Sequence, residues 1–397
     1  MSDSDAGMVI VGGGLGGVRA IEELRNQGYQ GSITLVAAES KLPYERPVLS
    51  KGYLLGNEPL ESAFVHDQQW FDDHRVEVVL DDPAVSIDRD QHQVSTASGH
   101  TIGYHKLLLA TGSAPRKLPL PGADADGVYT LRNVGDAEKI KAVIESGGPL
   151  VIIGGGWIGL EVAAAAREHG VEVTVLEAAE EPLLAVMGTE VAKVFAGLHR
   201  EHGVNLITGA KVQELITADG RVTAVRSADA EHPAAAVIMG VGAAPRLDLA
   251  TDAGLEVDHG VLTDASLRTT DPDVYAVGDI AAVDHPLIDG RVRVEHWAWA
   301  NDGGPVAARA MLGQDATMDF LPFFFTDQYD LGMEYIGYLP PHSDARVELR
   351  GDVPGRAFAA YWIVQDKVVA GMHVNLWDTG IDPIKEIVLS GDPSRIA

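Results

Sequence analysis

The 397-residue chain contains no cysteine. That absence removes structural disulfides, thiolate metal sites and any redox dithiol or sulfenic acid as an electron relay, so redox chemistry here has to end on bound cofactors. Basic residues are scarce: 30 Lys and Arg against 58 Asp and Glu give a formal charge of −28. A nucleic-acid binder needs a basic footprint to neutralise phosphates, and no basic stretch supplies one. No uninterrupted apolar run is long enough to cross a bilayer. The first strand pattern begins near Met8, too early to leave room for a charged and then apolar leader. A soluble, cytoplasmic protein is therefore expected. The 14 histidines are scattered. The closest pair, His199 and His202 in Leu198-His199-Arg200-Glu201-His202-Gly203, reads as the solvated last turn of a helix capped by Gly203, where cationic side chains suit the dipole. No second cluster completes a zinc ligand set, so no metal is expected.

What is present is glycine in a repeated pattern. Gly12-x-Gly14-x-x-Gly17 follows the β-branched run Met8-Val9-Ile10-Val11, and Gly154-x-Gly156-x-x-Gly159 follows Leu150-Val151-Ile152-Ile153. Each copy opens a segment of helical pattern, Ala20-Ile21-Glu22-Glu23-Leu24 in the first and Leu160-Glu161-Val162-Ala163 in the second. Strand, tight turn and helix in that order aim backbone N–H groups at a pyrophosphate, while missing side chains permit its close approach. Two dinucleotide sites follow, with Gly12, Gly14, Leu15, Gly16 and Gly17 lining one and Gly154, Gly156, Trp157, Ile158 and Gly159 the other.

The second copy also indicates its nucleotide. The strand Val171 to Leu176 ends at Glu177, about twenty residues past the first glycine, where a carboxylate accepts both ribose hydroxyls. A 2′-phosphate would meet negative charge there, and Ala178-Ala179-Glu180-Glu181 offers no cation to hold one, so NADH is preferred over NADPH. In the first copy Ile33-Thr34-Leu35-Val36 is followed by Ala37, and the nearest carboxylate is Glu39, two positions late. Glu39 reads either as a ribose ligand or as an ordinary loop carboxylate.

With 46% hydrophobic residues the chain can bury a large core and should divide into two or three domains. Short strands are expected around Val76–Leu80 and Val85–Ile87, and Lys106 to Leu109 forms an apolar run stopped at Ala110-Thr111-Gly112. Pro115, Pro119 and Pro121 mark a crossover. The second unit returns at Ala236 to Met239 and ends in glycine at Gly240 and Gly242, with an Asp219-Gly220 hairpin before it. Asp273 to Ile280 reads as a buried strand with Asp279 at its C-terminal end, the edge where open α/β sheets bind ligands. From Asp319 onward the composition becomes aromatic and β-rich, which predicts a smaller α+β domain over 320–397.

This order of motifs resembles the FAD-dependent, NADH-oxidising ferredoxin reductases that feed bacterial oxygenases and haem monooxygenases, relatives of the rubredoxin reductases and of apoptosis-inducing-factor flavoproteins. The resemblance runs from about residue 8 to the C-terminus. It is carried by Leu42-Pro43-Tyr44-Glu45-Arg46-Pro47-x-Leu49-Ser50-Lys51, Ala110-Thr111-Gly112, Gly278-Asp279, Glu295-His296-Trp297 and Asp327-Gln328-Tyr329-Asp330. It implies an α/β fold with two Rossmann-like domains and a C-terminal α+β domain. The FAD-binding domain would comprise 1–118 and 241–319, the NAD-binding domain 119–240 and the last domain 320–397.

The resemblance further implies that the first glycine motif, with Ala110, Thr111, Gly112 and Gly278, holds FAD, and that Asp279 bonds its ribityl chain. Arg46, Lys51 and Arg116 would approach the pyrophosphate or flavin ring, the two arginines having a plain surface role as their alternative. Positive charge from Lys51 would stabilise the reduced anionic ring. Glu161 and Glu295 would accept from the nicotinamide amide; helix-start carboxylates favoured by the macrodipole are the rival reading. His296 is grouped with these cofactor residues, and Gly242 with the NAD side. Trp297 would lie near the flavin edge, or simply fill core. Lys51, Glu161, Glu295 and Trp297 are the expected catalytic set.

The chain departs from the family pattern at Trp299 and Gly303-Gly304, at Phe325, where tryptophan is common, and at 182–187, where an arginine is missing. These positions are expected near the flavin and nicotinamide faces. The implied reaction is hydride transfer from NADH to FAD, which requires near contact of the two rings, then release of single electrons to an iron–sulfur ferredoxin. The alternatives are an NADH oxidase or quinone-type flavoprotein, or an NADH-sensing signalling module. Pyridine nucleotide–disulfide reductases share the double layout but normally need cysteine. Because ferredoxins are generally acidic, a local basic face is expected to offset the −28 charge, with Arg291, Arg293 and Arg309 as its candidates.

Overall fold

The computed structural model describes residues 6–396; residues 1–5 and 397, the outermost ends of the expected FAD-binding and C-terminal domains, lie outside them. The chain divides into two units. The first takes the chain up to Glu45, Glu61–Ala114 and Ala244–Pro322, and the second takes Arg46–Leu60, Pro115–Ala243 and the remainder from Phe323.

In the first unit the strand Gly7–Val11 runs parallel between Ile33–Val36 and Thr101–Leu109, with Val76–Val79 and Val274–Ala276 outside them. Gly7–Val11 and Ile33–Val36 are buried at every position. That is why they read as continuous apolar runs rather than as alternating patterns: parallel strands are covered on both faces. The helix Leu15–Asn26 lies along Trp297–Met311. Gly304 makes the contact possible, since a Cβ there would sit 2.7 Å from the Gly16 carbonyl oxygen and 2.9 Å from the Ala20 nitrogen. Gly303 packs tightly on Val277 and Met318, and Trp299 is fully buried beside His285 and Phe320. These departures from the family pattern thus fill core and close a helix pair.

The second unit repeats the parallel arrangement in the order Asn205–Ile207, Val173–Leu176, Leu150–Ile153, Ala236–Met239 and Val128–Tyr129. Its hairpin Val212–Ala218 and Arg221–Ser227 turns at Asp219 and Gly220, both with positive φ, as the Asp-Gly pair predicts. After Phe323 comes a five-stranded antiparallel sheet in the order Phe323–Gln328, Leu331–Gly337, Lys367–Val374, Ala357–Val364 and Arg346–Asp352, with the helix Asp382–Ser390 against it. The helix Leu184–Glu201 lays Met187, Val191, Phe195 and Leu198 into one core with Leu331, Met333, Tyr335 and Trp362. The helix is interrupted at Gly188, where φ is +74°, and beyond that break the spacing of Val191, Phe195 and Leu198 is a single helical stripe. The α/β class with Rossmann-like parallel sheets and an α+β C-terminal part is therefore what the chain adopts.

The same stripe corrects the reading of His199. One position past Leu198, it is carried inward under the C-terminal sheet and has no exposed surface. Burial holds its pKa down to about 4, an effect opposed by its hydrogen bond with Gln328 and reinforced by His202. His199 is thus a neutral core residue. His202 is half-buried and stacks on Tyr329 at 3.7 Å, and Gly203 follows with φ of +79°, as a helix-ending glycine should. Among the described residues no helix is long and apolar enough to cross a membrane, and no group of three or more His, Asp or Glu is placed to hold a metal.

Candidate functional site

Sheet register gathers the expected cofactor residues of the first unit. Val11 pairs with Val36 and Leu109, and Leu109 with Ala276, so four neighbouring parallel strands end level. The segments leaving that edge carry Gly12–Gly17, Glu39, Ala110–Gly112 and Gly278–Asp279. Ligands bind outside the carboxyl ends of such strands, at the point where strand order reverses on either side of the first strand.

The fingerprint glycines divide by task. Gly12 has φ of +124°, and a Cβ there would lie 2.1 Å from the Ala110 carbonyl oxygen; a Cβ on Gly17 would lie 2.6 Å from the Gly12 oxygen. Those two satisfy the protein's own packing. Gly14 differs, because a Cβ on it would meet no protein atom within 4 Å. It ends the turn at the N-terminus of Leu15–Asn26, which no side chain caps. The open space beside an uncapped helix N-terminus fits a dinucleotide pyrophosphate.

Around this cradle, Thr111 donates its hydroxyl to the Arg246 carbonyl (3.2 Å), and the Gly112 carbonyl accepts from the Arg246 N–H (2.9 Å). Glu39 accepts from the Tyr44 hydroxyl. Asp279 lies in a short 3-10 turn after Val274–Ala276, and its carbonyl accepts from Arg293 at 3.1 Å. Glu295 is exposed and ion-paired to Arg293 at 2.8 Å. The Nδ1 of His296 has no contact with solvent, and burial lowers the pKa of its ring to about 4 against the raising effect of Asp279. The Trp297 indole donates to Glu45 at 3.2 Å, which fixes it as an oriented polar aromatic rather than as plain core filling.

The second unit repeats the plan. Ile153 pairs with Leu176 and Met239, so Gly154, Glu177 and the turn to Gly242 leave one edge together. Gly154 has φ of +103°, and Gly159 approaches the Gly154 oxygen so closely that a Cβ would be 2.3 Å away. The nearest atom to a Cβ on Gly156 would be 3.7 Å off, and again no side chain caps the helix, Trp157–Glu168. Glu177 accepts from the Gly155 N–H at 2.6 Å and from the Ala179 N–H at 2.7 Å, which pins the carboxylate against the glycine turn. Arg116 holds the neighbouring segment by donating to the Gly242 carbonyl from its N–H and to the Ala243 carbonyl from its guanidinium, each at 2.9 Å. Ile158 is exposed, while Trp157 packs on Phe195 and Phe324. Arg46 donates to the Arg132 carbonyl.

Lys51 and Glu161 meet directly, with Nζ 2.7 Å from Oε1. Glu161 is 4% exposed and also accepts from the Thr326 hydroxyl at Oε1 (2.6 Å) and from Ser50 at Oε2 (2.5 Å). It is far from the solvated helix-start carboxylate of the rival reading. Lys51 stands 5.2 Å from the Phe325 ring centroid. Ser50, Thr326, Gln328 and His199 escaped sequence reasoning as site residues. One signal was available: Thr326 and Gln328 are buried while Asp327 between them is exposed, so two polar residues occupy the inward face of a strand.

Of the three candidates for a basic face, two are paired with carboxylates and the third, Arg291, keeps its charge. Arg309 pairs with Glu23 at 2.8 Å, Arg293 pairs with Glu295, and Arg291 donates to the carbonyls of Thr263 and Ala282.

Comparison with known proteins finds a match to the family described as Pyridine nucleotide-disulphide oxidoreductase over residues 7–304. Rhodocoxin reductase of Rhodococcus erythropolis is 39% identical over 93% of this chain and 86% of its own length. Putidaredoxin reductase CamA of Pseudomonas putida is 35% identical over 93% and 88%. Among solved structures, the reductase in the covalent putidaredoxin reductase–putidaredoxin complex superposes with a TM-score of 0.93 at 34% identity, covering 99% of this chain and 97% of that one.

Proposed function

The chain belongs to the pyridine nucleotide-disulphide oxidoreductase family, among its FAD-dependent ferredoxin and rubredoxin reductases, and on that premise we propose that it oxidises NADH and reduces an iron–sulfur ferredoxin serving an oxygenase or haem monooxygenase. The family name refers to a disulfide chemistry that a chain without cysteine cannot perform. The observation that carries the reading is the pair of open glycine cradles, at Gly14 and Gly156, each at an uncapped helix N-terminus.

In this reading FAD takes the first cradle, with Ala110–Gly112 and Asp279 beside it, and NADH takes the second. Bound flavin supplies the conversion of a two-electron hydride into two single electrons. The protein's share is binding, orientation and charge. Glu177, held by two backbone N–H groups, presents fixed negative charge where a ribose would lie, and so favours NADH over its 2′-phosphorylated counterpart. Lys51 and Glu161 are the charged groups that the second unit offers to the nicotinamide; in the first unit Glu295 and Trp297 are the residues assigned to the cofactors. The expected FAD-binding and NAD-binding domain boundaries belong to the same proposal, as does a cytoplasmic setting, where NADH is available.

The test is anaerobic mixing of the flavin-loaded protein with NADH, followed by addition of a ferredoxin. Bleaching of the flavin and ferredoxin-dependent turnover that exceeds turnover with oxygen are expected. A protein that takes up no flavin, or whose flavin stays oxidised with NADH, would refute the proposal.

A further inference from the structure

Behind Glu161 the second unit continues a chain of polar groups through its core. Gln328 Nε2 lies 3.1 Å from the Thr326 hydroxyl oxygen, His199 Nε2 lies 2.8 Å from Gln328 Oε1, and the Tyr329 hydroxyl lies 3.5 Å from His199 Nδ1. Thr326, Gln328 and His199 are all buried.

The direction of every link follows from the charged end. Glu161 as a carboxylate beside Lys51 can only accept, so Thr326 spends its one hydroxyl proton on Glu161. Thr326 must then accept from Gln328, which turns the Gln328 amide nitrogen toward Thr326 and its oxygen toward His199. That oxygen needs a donor, so His199 carries its proton on Nε2 and leaves Nδ1 to accept from Tyr329. Each donor points toward Glu161. A core built for stability alone would gain as much from apolar side chains, because buried polar chains are costly unless every member is satisfied.

We propose that His199 is a positioning residue for hydride uptake, acting through Gln328 and Thr326 to hold the Glu161 carboxylate, and with it the Lys51 ammonium, in a single orientation. The inference rests on the proposed role of Glu161 and Lys51 in NADH oxidation. The low pKa of His199 keeps the ring neutral, as the order of donors requires. Its neighbours in the core are Tyr329, His202 and Gln328, none of which would supply a negative charge to favour the protonated ring.

The experiment compares the flavin-loaded protein with His199→Phe, which fills the space without a donor, and His199→Gln, which restores an N–H toward Gln328. In anaerobic stopped-flow reduction, His199→Phe should lower the limiting rate by roughly tenfold to a hundredfold, the scale of a small misplacement in the reacting geometry, with NADH affinity little changed. His199→Gln should recover most of that rate. Equal loss in both variants, or no loss in His199→Phe, would overturn the proposal. If His199→Phe does not fold, Gln328→Met reads the same link and should slow reduction alike. A second readout needs no turnover: nitrogen NMR of the histidine-labelled holoprotein should find His199 protonated at Nε2 only, and an Nδ1–H ring would overturn the assigned direction. Failure of the unmodified protein to oxidise NADH would instead strike the proposed function, and the NMR result would still report the chain of donors.

Discussion

Acidification should weaken the second unit through His199, and by an amount the structure allows to be worked out. The ring is fully buried and its pKa is lowered to about 4, while an unfolded chain would titrate near the ordinary value of 6.5. Above pH 6.5 both states are neutral, and the stability that comes from keeping this ring unprotonated is complete. As the pH falls through 6.5 the unfolded chain binds a proton that the folded chain refuses, so stability declines until the pH passes below about 4. Between pH 7 and 4.5 the loss amounts to about 2–3 kcal/mol. Carboxylates titrate in the lower part of that window too, so the comparison is with His199→Gln, which keeps a donor for Gln328 and cannot titrate. Trp157 and Trp362 share a core with this helix, so tryptophan fluorescence can follow the thermal transition. The unmodified protein should lose roughly 5–10 °C more than the variant over the interval. Parallel curves from pH 7 to 4.5 would mean that His199 is not a buried neutral ring, and the reasoning would fall.

Other outcomes follow from the same contacts. Lys51→Met should destabilise by about 3–5 kcal/mol by stranding a buried carboxylate, and adding Glu161→Gln should recover most of it; denaturant midpoints would read both. Gly156→Ala should leave the thermal midpoint unchanged and weaken NADH binding, measured by titration, whereas Gly159→Ala should cost about 1–3 kcal/mol of stability because its Cβ would collide with the Gly154 oxygen. Glu177→Ala removes the acceptor of two short backbone hydrogen bonds and the charge that opposes a 2′-phosphate. The ratio of kcat/KM for NADH over NADPH should drop at least about tenfold, equivalent to about 1.4 kcal/mol. Turnover with an acidic ferredoxin should rise as ionic strength increases from about 0.01 to 0.15 M, since the chain carries −28 and two of its three candidate arginines are paired with carboxylates; a fall would point to a basic docking face.

The parallel sheets were legible because burial on both faces leaves uninterrupted β-branched runs, and the cradles because a turn against a neighbouring carbonyl admits only glycine at Gly12 and Gly154. The Asp219-Gly220 hairpin was legible from its turn chemistry. What could not be read was which polar side chains the tertiary fold would bury together. His199 sits beside Arg200, Glu201 and His202 in sequence and looks solvated; only the sheet beginning at Phe323, more than a hundred residues later, covers it. The same blindness affected the arginines, since Glu23, which neutralises Arg309, lies near the other end of the chain.

Within the polar chain itself, unlike at the open turn of Gly156, stability and chemistry should not be separable by mutation. Its members come from four distant segments: Ser50 and Lys51 from a short two-helix loop, Glu161 from the helix after the glycine turn, His199 from the helix Leu184–Glu201, and Thr326 with Gln328 from the first strand of the antiparallel sheet. A carboxylate that must be satisfied on both oxygens is a demanding joint between such segments, because each lost donor leaves a buried acceptor unpaired. Any change that shifts one segment is therefore transmitted to the orientation of Glu161 and Lys51. The Trp157, Phe195 and Phe324 contacts brace three of the same elements from the apolar side. Substitutions there should perturb the reduction rate without touching a charged group, for the mechanical reason that the helix bearing Glu161 also bears Trp157.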